Sequence, residues 1–195
     1  MSSLIRTGDT SGQVTIAAPA VAGTSTITLQ AATATMSVNT LSTAVASTSG
    51  TSIDFTGLPA WVKRVTVIFN GTSLSGTANT LVQLGTGSTT YTTSGYSANT
   101  ASVEAAGNTM VTSTAGFIVY FGANASVVSG HMILTNISGN NWISSHTTKF
   151  DSTTVKSTFG AGNVALGATL TAVRITTTNG TDTFDAGSVN ILYEG

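Results

Sequence analysis

The chain has 195 residues, a net charge of −1 and only 7% charged residues, against about 25% in an average soluble protein. Six Lys and Arg spread along the length cannot build the basic patch that general nucleic-acid binding requires. With no cysteine, disulfides, iron–sulfur clusters and thiolate zinc sites are excluded, and no run of about 18 apolar residues is present to form a membrane-spanning helix.

Solubility must come from Thr, Ser, Asn and Gly rather than from ions. Near-zero net charge favours association, which suits a surface that meets copies of itself or a partner. The opening Met-Ser-Ser-Leu-Ile-Arg leads into no apolar run of signal-peptide length, so synthesis in a cytoplasm is expected.

Residues 1–49 contain no aromatic side chain. Two short strands are expected there, at 13–17 and 26–30, followed by a Ser/Thr/Ala tract. Without large side chains this stretch buries little by itself, and ordering it requires contacts. It reads as an extended N-terminal arm for attachment or subunit contacts. The alternating Val14, Ile16, Ile27 and Leu29 are its candidate contact residues, seated by β-augmentation in a partner sheet.

Residues 50–195 read as one β-sandwich domain of about eight to ten strands. A first strand at 51–56 is followed by a Gly57-Leu58-Pro59-Ala60 turn. In the strand at 62–70, Val65, Val67 and Phe69 share one face at period two and belong in the core. Arg64, Thr66, Ile68 and Asn70 face the other way, and Asn70-Gly71 is expected to turn the chain. Trp61 is placed to cap one end of the core, and Lys63 and Arg64 to discourage stray edge pairing.

Strands are expected next at 79–84 and, more weakly, at 89–96. Residues 117–121, Phe-Ile-Val-Tyr-Phe, are apolar on both faces and therefore expected in a central position. Residues 131–138 and 142–150 flank Gly139-Asn140-Asn141 as a hairpin. The strand at 155–165 is broken by Gly160 and Gly162. Strands at 170–178 and 183–193 flank the Asn179-Gly180 turn, with a bulge expected at Asp185-Ala186-Gly187. The fold class is all-β, a jelly-roll-like antiparallel β-sandwich.

Little in this pattern points to catalysis. His131 and His146 are not expected to meet across their hairpin, and no metal or other cofactor is expected. Asp182 and Asp185 are the only close carboxylates, too few for the six to eight oxygens calcium takes. No Gly-X-Ser-X-Gly elbow or nucleotide-binding loop is present. A glycosidase needs two facing carboxylates, and most of the seven acids stand alone in the sequence. Tyr91, Tyr96 and Trp142, near expected loops or strand ends, are the candidates for stacking against a glycan.

Two segments carry a resemblance. SIDFTGLPAWVKRVTVIFNG (52–71) and NGTDTFDAGSVNILYEG (179–195) resemble a domain at the C-termini of tailed-bacteriophage fibre-like virion proteins. GQVTIAAPAVAGT (12–24) resembles the short β repeats that precede such domains. The resemblance implies a β-sandwich on the surface of a phage particle, a homotrimer or another oligomer. The chain has no fibre shaft, which favours a capsid decoration (cement) protein anchored to the major capsid protein or another virion protein. The alternative is a short tail fibre or receptor-binding tip that recognises a host surface glycan.

Overall fold

The computed structural model describes residues 3–7, 13–17, 37–104, 107–119, 126–151 and 155–195. Every regular element among them is a strand. The chain divides into two compact units, Met1–Met36 and Ser37–Gly195.

In the first unit, β1 (Ser3–Thr7) and β2 (Gln13–Ala17) form an antiparallel hairpin, with Leu4 opposite Ile16 and Arg6 opposite Val14. The strand expected at 13–17 is therefore present, but it pairs with a strand the sequence reading passes over. The strand expected at 26–30 lies outside the described residues.

The second unit is a two-sheet sandwich. Its strands are β3 (Asn39–Leu41), β4 (Val45–Ala46), β5 (Ser52–Thr56), β6 (Arg64–Leu74), β7 (Thr80–Gly85), β8 (Ser97–Glu104), β9 (Gly107–Ser113), β10 (Phe117–Val119), β11 (Val127–Ser138), β12 (Asn141–Asp151), β13 (Lys156–Ala165), β14 (Ala172–Thr177) and β15 (Phe184–Glu194). The smaller sheet has the order β10-β7-β14-β5. The larger runs β3-β15-β6-β11-β12-β13-β8-β9, with β4 also on β15.

Two hairpins extend the larger sheet: β8–β9, inserted between β7 and β10, and β12–β13, inserted between β11 and β14. Without them, and with β3 and β4 taken as one interrupted strand, eight strands remain. Their orders, β3-β15-β6-β11 against β10-β7-β14-β5, are those of a jelly roll.

The alternation that predicts β6 holds. Val65, Val67 and Phe69 are buried, while Arg64 and Asn70 are exposed. The inner faces meet over Phe69, Phe117, Phe150 and Phe184. Asn70-Gly71 does not turn the chain. Gly71, at φ 63°, sits in a bulge, and β6 continues to Leu74. The bulge expected at 185–187 is present in β15, where the register shifts on both sides of Ala186. Gly187, at φ 87°, abuts the Gly71 backbone so closely that a Cβ would collide with it. The two bulges thus nest, and both positions need glycine.

Several expectations are corrected. The sandwich starts before residue 50, because β3 and β4 pair with β15. Residues 89–96 form no strand beyond a single bridge from Tyr91 to Gly85. β13 runs unbroken through Gly160 and Gly162. β10 is a sheet edge, not a central strand; it is buried because β8, β9 and β13 lie against it. Arg64 is not at an edge. β6 is interior, and Arg64 forms a 3.1 Å ion pair with Glu194 on β15.

Candidate binding surfaces

β12 alternates without a break: Trp142, Ser144, His146, Thr148 and Phe150 point inward, and Asn141, Ile143, Ser145, Thr147 and Lys149 outward. The same alternation on its neighbours defines the outer face of the large sheet. Direct cross-strand partners share a face. One row therefore runs Ile68, His131, Thr147, Phe159, Ala101, Met110. Met110 is 69% exposed, Phe159 50% and, one row away, Val103 48%. Ile143 and Leu41 are exposed on this face as well. Apolar side chains thus stand on a sheet surface where an ordinary half-buried sheet would carry polar ones.

At one end of the extension an open cleft of about 660 Å³ is walled by Tyr96, Asn99, Thr112, Ile143, Ser144 and Asn163. Its lining offers amides and hydroxyls but no carboxylate, imidazole or amine. Such a site can orient a neutral polar ligand by hydrogen bonds, and it lacks groups for acid–base exchange near neutral pH.

Of the three aromatic rings expected to meet a glycan, two are buried. Tyr96 is 3% exposed, its ring edge-on to Phe117 at 5.0 Å, and its hydroxyl accepts a 2.8 Å bond from the Leu84 N–H. Desolvation pushes that phenol up to about 12. Trp142 is also 3% exposed, within the core. Neither ring face is free to stack on a sugar. These rings fill the ends of the sandwich, where a strand end and a core position coincide.

Tyr91 is half-buried on the smaller sheet. It lies beside Gly85, whose missing Cβ makes room for the ring. The Arg174 guanidinium stacks 4.0 Å from the ring centroid and donates two 2.7 Å bonds to Asp54. Burial first, and the Asp54 carboxylate second, raise the Tyr91 phenol above its ordinary value. One ring face is thus already occupied by a cation.

Of the arm residues, Val14 and Ile16 lie on β2, opposite Arg6 and Leu4 of the same chain. Ile27 and Leu29 lie outside the described residues.

The two histidines part company: His131 is exposed on the outer face and His146 buried on the inner one. His146 Nε2 hydrogen-bonds Thr100 Oγ1 at 3.0 Å, and desolvation lowers its pKa to about 4. Asp182 accepts from the Asn179 side-chain amide and, second in effect, from the Ala78 N–H, which hold its carboxyl below the usual range. It organises a turn. No group of three or more His, Cys, Asp or Glu close enough to hold a metal ion occurs among the described residues. No helix among them is long and apolar enough to cross a membrane.

No protein-family model, curated protein or solved structure matches the chain.

Sequence reasoning missed the apolar side chains exposed on the outer face. The available signal was Ile143, out of phase with Trp142 and Phe150 on β12; Phe159 has no other aromatic residue on β13 to set a phase.

Proposed function

We propose that this is a structural protein of a tailed-phage particle, a capsid decoration protein that acts by adhesion rather than catalysis. The observation that carries the reading is the set of exposed apolar side chains, Met110, Phe159, Val103 and Ile143, on the outer face of the nine-stranded sheet of a jelly roll poor in charge. Jelly rolls recur in viral capsid and lectin domains, and the resemblance of residues 52–71 and 179–195 to phage virion proteins points the same way. The partner is the major capsid protein or another virion protein, met through residues 1–36. An array of bound copies would favour the assembled shell by mass action. Homotrimerisation is what the resemblance adds to this reading.

Deletion of residues 1–36 tests it. The remaining chain, which keeps β3 and β4, is expected to fold and to lose binding to particles. Undiminished binding would remove the anchoring role.

The second reading is a short tail fibre or receptor-binding tip. The uncharged cleft bounded by Asn99, Asn163 and Ile143 favours it, since amides beside an apolar side chain suit a neutral glycan. Substituting Asn163 with Leu would then abolish host adsorption while leaving particle assembly intact.

A further inference from the structure

A sheet edge is a row of unpaired N–H and C=O groups, and soluble proteins guard it by shortness, interruption, charge or cover. Three of the sandwich's four edges follow this rule. β3 and β4 are three and two residues long, with a gap between them. β5 has five residues and carries Asp54, tied to Arg174. β10 is covered by the large sheet.

β9 breaks the rule. Its sequence is Gly-Asn-Thr-Met-Val-Thr-Ser, with no proline and no charge. All seven residues pair in unbroken register with β8, from Gly107 opposite Glu104 to Ser113 opposite Ala98. At about 3.3 Å per residue the edge runs roughly 23 Å. No strand among the described residues pairs with its other side. Its residues are exposed for most of its length.

We propose that β9 pairs antiparallel with β9 of a second copy of this chain, joining two large sheets across a twofold axis at Met110. The occupant follows from the strand's own sequence. Centred on Met110, such a pair sets Met110 against Met110, Asn108 against Thr112, Thr109 against Val111 and Gly107 against Ser113. Every opposition is uncharged, and β-branched residues meet neighbours of the kind that favours pairing. The outer-face row Phe159, Ala101, Met110 ends at this edge. Pairing continues it into the same row of the partner and covers the most exposed apolar side chain of the described residues. The contact is isologous, so it closes at two copies and cannot itself build the threefold assembly that the resemblance implies. It does not depend on where on a particle the chain resides.

Sedimentation equilibrium of the full chain tests the proposal. The expected species contains an even number of 19.5 kDa chains, two where β9 pairing is the only contact. Met110→Lys is expected to halve that mass with unchanged far-UV circular dichroism, and Met110→Glu the same. Mixing the two is expected to restore the full mass, because the residue at the axis faces its own counterpart. In the wild type, amide exchange at 107–113 is expected to slow as the protein is concentrated; this readout stands even if a variant fails to fold. A wild-type monomer at all concentrations, a trimer indifferent to Met110→Lys, a mixture that stays at half the mass, or concentration-independent exchange in β9 would each overturn it.

Discussion

The inner face of the large sheet changes character half-way across. Over β15, β6 and β11 it presents Ile191, Val65, Val67, Phe69, Met132 and Leu134, all buried. Over β12, β13 and β8 the same face carries mostly small or polar residues: Ser144, His146, Thr148, Thr158, Gly160, Gly162, Ala98, Thr100 and Ser102. The first region belongs to the jelly roll and faces a full sheet. The second belongs to the inserted hairpins, and the edge strand β10 lies against its β13 and β8. Apart from Trp142, Phe150 and Val164, which join the core, burial there rests on small side chains, close approach and the Thr148–Thr158 and Thr100–His146 bonds. Hydrophobic stabilisation is concentrated in the eight-strand frame, and the extension chiefly enlarges the outer surface.

The largest expected contrast comes from truncation in the frame. Phe69→Ala should cost about 3–5 kcal/mol in urea unfolding. Thr148→Ala in the extension, which leaves the Thr158 hydroxyl without its partner, should cost about 1–3 kcal/mol. Equal losses would dissolve the distinction.

Acid comes next, and within the extension it acts through His146. Its folded pKa of about 4 lies below the 6.5 of an unperturbed imidazole. The unfolded chain therefore takes up the proton first as pH falls. Stability contributed by the neutral buried ring is complete above pH 6.5 and is lost progressively toward pH 4, by ~3 kcal/mol. Urea titrations at pH 7 and pH 4 should show this loss in the wild type and not in His146→Gln. A variant with the same pH dependence would mean that the ring is not held neutral.

Gly160→Ala tests the close approach. A Cβ at this position would meet the Asn99 carbonyl and the His146 ring, so a cost of about 1–3 kcal/mol is expected in thermal unfolding. The smallest effect belongs to the surface of the other sheet. Arg174→Ala removes a partly exposed ion pair and the Tyr91 stack, and should change stability by about 1 kcal/mol or less.

The frame was the legible part of the sequence. β6 shows strict alternation of Val65, Val67 and Phe69, and the 185–187 bulge is marked by its glycine. β8 was not legible, because Ser-Ala-Asn-Thr-Ala-Ser-Val-Glu has little strand propensity and is held by pairing to β13 and β9. The local pattern also misplaced β10. Two apolar faces indicate cover on both sides, and the cover here is another sheet rather than two neighbouring strands. Tyr96 and Trp142 were misjudged for a related reason. Proximity to a turn does not fix exposure when the opposing sheet overhangs the strand end. Of the candidate surface, the uncharged composition was evident, but the row from Ile68 to Met110 required the registers of six strands.

The measurement that bears most directly on the proposed role is immunogold labelling, with antibody against this chain, of phage particles purified from its source. Gold spread over the head is the predicted result. Gold confined to the tail, or particles without label, would contradict it.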